Sequence, residues 1–155
     1  MQTNHITDIA GLREKVGEFY SRQQGLREKL KSVERRINTL DEHLQQAATY
    51  KKHSEIYKRY QSVKPKYQTD FYEVHRTEIM LYESAKRYLD ANLNGHSLPS
   101  KLWTAEREKL TAERTNLTRE YNALKEEIRE VKIIRKHAES VAREAQPKRK
   151  NEQSL

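Results

Sequence analysis

From Leu12 to Ala47 the apolar residues fall in alternating steps of four and three. Leu12, Val16, Phe19, Leu26, Leu30, Val33, Ile37, Leu40, Leu44 and Ala47 keep one register, with Gln23 as the single polar intrusion. A heptad rhythm held for five repeats is an α-helical signal, and it calls for a partner helix along the same stripe. A second stripe follows from Ser100 to Ala145. Trp103, Leu110, Leu117, Leu124, Val131, Ala138 and Ala145 are spaced by sevens, and Tyr121, Ile128 and Val141 are assigned to the same face. The stretches 12–47 and 103–138 are of equal length and are mirror-placed about residue 75. This arrangement predicts an all-α fold, a long antiparallel coiled-coil hairpin with a small helical head, whose stalk would be about 54 Å long at the helical rise. An elongated three-helix bundle is the alternative, with the first helix running on to Gln61.

The rest of the chain subdivides on breaker residues. The reading assigns 1–49 to the first coiled-coil helix, 50–99 to the head, 100–145 to the second coiled-coil helix and 146–155 to a disordered basic tail containing Lys148, Arg149 and Lys150. Asp8 is a candidate cap for the first helix, and Ser100, after Pro99, for the last. Gly17 and Gly25 each cost the first helix about 1 kcal/mol of propensity. Within the head, Val63, Lys64 and Pro65 stop one helix, because proline disfavours helix in the residue before it. Tyr67 to Leu93 is expected to form the next, with Phe71, Val74, Leu81, Ala85 and Tyr88 on its buried stripe. Asn94, Gly95 and His96 end it, Gly95 being suited to a left-handed cap.

Composition narrows the function classes. Hydrophobic residues make up 34% and charged residues 35%, against roughly 45–50% and 25% in ordinary globular domains, so narrow apolar stripes and wide solvated faces are expected. Without cysteine there is no disulfide or thiol chemistry. No stretch approaches the ~20 apolar residues of a membrane span, and no signal peptide opens the chain, so a cytoplasmic protein is expected. His5, His43, His53, His75, His96 and His137 show no metal-binding spacing, Glu73 and His75 are too close for a Glu-x-x-His motif, and no glycine-rich loop could cradle a phosphate. A non-enzymatic binding module with no cofactor or metal is expected.

The net charge of +8 favours anionic partners, nucleic acid above all, although cations interleaved with carboxylates also simply solvate helix faces. The head is the distinctive region. Seven of the nine tyrosines lie between Tyr50 and Tyr88, in a stretch dense with Lys and Arg. Rings beside cations suit single-stranded nucleic acid, because bases stack on the rings while the cations follow phosphates. Lys51, Lys52, Tyr57, Lys58, Arg59, Tyr60, Lys64, Lys66 and Tyr67 are the candidate contacts. The competing reading is that tyrosine fills a small helical core, ring buried and hydroxyl at the rim.

The order of segments here resembles the helical C-terminal region of relaxase (mobilization) nucleases from conjugative elements of Gram-positive bacteria. The likeness rests on the Tyr57–Tyr60 helix, the Tyr82–Lys86 helix, the Leu98–Pro99 step and the Glu/Ala-rich stretch Ala105–Leu124, and it extends over about Ile6 to Ala145. In that family a separate N-terminal domain nicks DNA with a tyrosine nucleophile and a histidine-held metal. None of those motifs is present here, so no catalytic residue carries over. The resemblance implies an accessory tail, a fragment of a larger bacterial protein, that binds DNA, single-stranded DNA being favoured, or assembles other transfer-complex proteins. A protein–protein or dimerization coiled coil without DNA affinity is the alternative, and either a monomer or a homodimer is compatible with the pattern.

Overall fold

The computed structural model describes residues 2–145 of the chain, with side chains from residue 9 onward; the basic cluster Lys148–Lys150 and the rest of the expected tail lie outside the described residues. The described residues form four α-helices and no strand: α1 Gln2–Ser62, α2 Pro65–Val74, α3 Arg76–Leu93 and α4 Ser100–Glu144. The first helix is 61 residues long. It passes residue 49 without interruption because no breaker stands before Val63, and Asp8 lies inside it rather than at its cap. It stops where expected. Lys64 adopts φ −59° and ψ 142°, the extended backbone required ahead of proline, and Pro65 occupies the first turn of α2.

The expected helix 67–93 is two helices. The backbone bends at His75, with φ −110° and ψ 22°. Each of α2 and α3 then presents its own face, and the expected common stripe holds only in part: Ala85 is buried and Phe71 and Tyr88 are half-buried, but Val74 is 77% and Leu81 44% exposed, and Ile79, Tyr82 and Leu89, outside that stripe, are buried. The buried stripe of α3 keeps Ala85 but takes Tyr82 and Leu89 where a single helix from Tyr67 would place Leu81 and Tyr88. This rotation turns Tyr82 onto the rings of Tyr50 and Tyr57 and leaves Leu81 in water. At the end of α3, Asn94 takes the left-handed cap (φ 49°) and Gly95 follows at φ 83°, so the left-handed turn uses two residues where one was expected.

The chain divides into two compact units. One consists of residues 1–32 and 113–155, and within it α1 and α4 run antiparallel. Arg13 donates to Glu139 at 3.1 Å, the ammonium of Lys132 lies 4.8 Å from the Tyr20 ring centre, and Arg27 donates to the Tyr121 hydroxyl at 3.0 Å. Its buried seam is Val16, Leu117, Leu124 and Ile128, with Leu12, Phe19, Gln23, Leu26, Leu30, Tyr121 and Val131 half-covered. Val141 departs from the expected face and is 43% exposed, as are Ile133 and Ile134 at 60% and 55%.

The other unit, residues 33–112, gathers α2, α3 and the adjoining parts of α1 and α4 around a fuller core. Leu40, Ala47, Leu89 and Trp103 are its centre, with Leu44, Tyr50, Tyr88, Leu93, Leu98 and Leu110 packed against them. Because α1 is covered here by more than one helix, its buried face widens beyond the heptad stripe to take in His43, only 8% exposed. At the rim, Arg36 forks onto both carboxylate oxygens of Glu106 at 2.7 and 3.0 Å, and Arg107 pairs with Asp41.

Candidate nucleic-acid interface

Six cations and one carboxylate, Glu55, lie between Tyr50 and Tyr67. This short stretch therefore accounts for five of the chain's eight net positive charges. The excess that seemed dispersed along the helices is in fact concentrated at the end of α1 and the start of α2.

Helical geometry then sorts the side chains. Each residue turns about 100° around the axis, so Lys51, Lys52, Lys58 and Arg59 share one face of α1, and all four are exposed. Lys51 donates to the Ser100 hydroxyl at 3.4 Å. No carboxylate pairs with any of the four among the described residues. Glu55 sits in the middle of the stripe, three or four residues from each cation, and is exposed as well. The pattern of one acid at i±3 and i±4 from four bases is legible in the sequence. Lys64 and Lys66 extend the positive surface across the Pro65 turn, both exposed, with the ammonium of Lys66 5.7 Å from the ring centre of Tyr67.

Most of the tyrosines do not join this surface. Tyr50, Tyr57 and Tyr60 lie on the opposite side of α1, half-buried. Tyr57 stacks on Tyr82 with ring centres 4.2 Å apart, and Tyr82 stacks in turn on Tyr50 at 4.9 Å. Tyr60 packs among Tyr57, Tyr72 and Phe71 at 6.0, 5.9 and 6.3 Å, and Phe71 continues to His75 at 4.5 Å. Burial, reinforced by the hydrogen bond with Tyr50, pushes the Tyr82 hydroxyl well above the usual phenol range. Tyr88 is shifted in the same direction, by burial first and then by the charge of Glu42. Of the three tyrosines nominated from sequence, Tyr67 alone is open, 53% exposed. Alternation of rings and cations along the chain therefore becomes segregation in space: a periodicity of 3.6 sends neighbours in sequence to different faces.

The surface so built presents exposed ammonium and guanidinium groups. Tyr67 is the exposed ring beside them. Among the described residues no group of three or more His, Asp or Glu is arranged to hold a metal ion, and no helix is long and apolar enough to cross a membrane. No protein family, curated protein or solved structure matches the chain.

Proposed function

We propose that this chain is a non-catalytic helical module that binds DNA through its phosphate backbone, with Lys51, Lys52, Lys58, Arg59, Lys64 and Lys66 as the contacts. The single observation behind the reading is the concentration of five net positive charges in one short stretch, with its α1 cations on an exposed face and, among the described residues, without paired carboxylates. Such an array releases condensed counterions from a nucleic acid, and each phosphate contact contributes to affinity without regard to base sequence. Tyr67 is the one nominated ring positioned to stack an unpaired base; Tyr57 and Tyr60 serve the packing beneath. The relaxase resemblance supplies the setting: an accessory region of a DNA-mobilization protein working in the bacterial cytoplasm, holding transfer DNA or its complex.

The test is fluorescence anisotropy of labelled single- and double-stranded DNA across a salt series. Replacing Lys51, Lys52, Lys58 and Arg59 together by Gln should weaken binding to both forms and flatten the log–log salt slope by roughly three to four, near one per lost phosphate contact. Tyr67→Ala should weaken single-strand binding alone. Absence of binding at low salt would remove the DNA role and leave a module that recognises another protein.

A further inference from the structure

In the unit formed by residues 1–32 and 113–155, the two helices enclose an open groove of about 470 Å³. From α1 it is lined by Arg22, Gly25, Leu26 and Lys29; from α4 by Glu120, Ala123, Leu124 and Glu127. The two sets have the same pattern at the same spacing, a charged residue, then a small residue and leucine three and four positions on, then a charged residue at the seventh. Only the sign differs. One wall carries two cations and the other two carboxylates, each pair one heptad apart. All four charged side chains are exposed, and none has an ion-pair partner among the described residues. The groove is also unfilled. A Cβ placed on Gly25 would meet nothing within 4 Å, Ala123 is exposed, and Leu26 is only half-covered.

We infer that this groove is the docking surface for a second copy of the chain. A two-helix pair can shield its seam on the inside only, and a like pair laid against it completes a four-helix arrangement. The charges specify which helix meets which. The contacts Tyr20–Lys132 and Arg27–Tyr121 set a register in which Arg22 is level with Glu127 and Lys29 level with Glu120. A two-fold axis parallel to the helices therefore brings each Arg22 to the partner copy's acidic wall at the height of Glu127, and each Lys29 to it at the height of Glu120. An isologous interface requires exactly such a patch, complementary to itself under the two-fold. An unrelated helix would satisfy one wall or the other, whereas a second copy satisfies both at once. The e and g charges that choose partners in helical bundles act in this way.

The test is the mass of the full chain in solution, by analytical ultracentrifugation, with helicity followed by circular dichroism. The wild type should sediment at twice the chain mass. The variants Arg22→Glu with Lys29→Glu, and Glu120→Lys with Glu127→Lys, should each keep their helicity and sediment as monomers, because each places like charges across the interface. Mixed in equal amounts, the two should regain the double mass. The intrachain exchange Arg22→Glu with Glu127→Arg preserves the complementarity and should dimerize like the wild type. A monomeric wild type overturns the inference, whether the groove then takes another helix or none. So does a dimer formed by either reversed variant alone, a mixture that stays monomeric, or an exchange variant that fails to dimerize.

Discussion

His43 has no apolar side chain to bury, yet it is more deeply enclosed than Leu44 beside it. Its Nδ1 is hydrogen-bonded to the Tyr88 hydroxyl at 2.8 Å, and its ring lies 4.7 Å from that of Trp103. Burial, the larger cause, and the nearby Arg36 cation hold its pKa below the usual imidazole value, against the opposing pull of Glu106 and Glu42. The neutral ring is thus the form the fold accommodates. Since the folded pKa is depressed relative to the unfolded one, its contribution to stability is complete above the ordinary imidazole range and is lost as pH falls through the lowered value. The urea midpoint of the wild type should drop between pH 7 and pH 5. In His43→Phe, which keeps an aromatic ring but cannot ionise, that drop should be smaller; an equal drop in both proteins would assign the acid sensitivity elsewhere. Arg36 and Glu106 illustrate the opposite case. Their forked bond lowers the Glu106 carboxyl pKa and raises that of Arg36, but both groups are about 40% exposed or more, so the pair contributes about 1 kcal/mol or less after solvent screening.

At the scale of elements, α1 is unusual in carrying Gly11, Gly17 and Gly25 within a single 61-residue helix. None is required by a positive φ or a close approach, since a Cβ at each would meet nothing within 4 Å. Gly17→Ala should therefore stabilise the chain by about 0.5–1 kcal/mol through helix propensity and the entropy of the unfolded state, read as a rise in the urea midpoint at unchanged slope. A loss of stability would mean that the backbone at Gly17 is not helical in solution. The ends of the elements were legible beforehand: the Val63–Lys64–Pro65 stop, the Ser100 start and the turn at Asn94–Gly95 follow from local sterics. The bend at His75 was not. Neither proline nor glycine marks it, and it emerges where α2 must present Phe71 and Tyr72 to Tyr60 while α3 presents Tyr82 to Tyr57.

Over the whole molecule the buried residues are unevenly shared. Among the described residues thirteen hydrophobic side chains are buried, nine in the unit of residues 33–112 and four in the other. Local stability follows buried contacts, so amides of 33–47 and of α3 should exchange more slowly than those of 12–25 and 130–143. Hydrogen exchange with mass spectrometry at low protein concentration measures this directly. Raising the concentration should then selectively slow exchange in 20–30 and 118–128 as the groove closes on a second copy, and uniform protection at every concentration would contradict both expectations.

The heptad spacing, the scarcity of breakers and the proline and glycine positions determined by themselves that the described chain is helical and where most helices stop. These are consequences of nearest-neighbour sterics and of periodicity, which any linear reading contains. Tertiary structure decided which residues each face buries: His43 in place of a merely apolar stripe, Tyr82 in place of Leu81, and Tyr57 and Tyr60 in an aromatic stack rather than beside the cations. It also decided that two short, oppositely charged motifs nearly a hundred residues apart in sequence line one groove. Such choices depend on how many helices surround a given face and in what register, a property of long-range packing that no local pattern encodes.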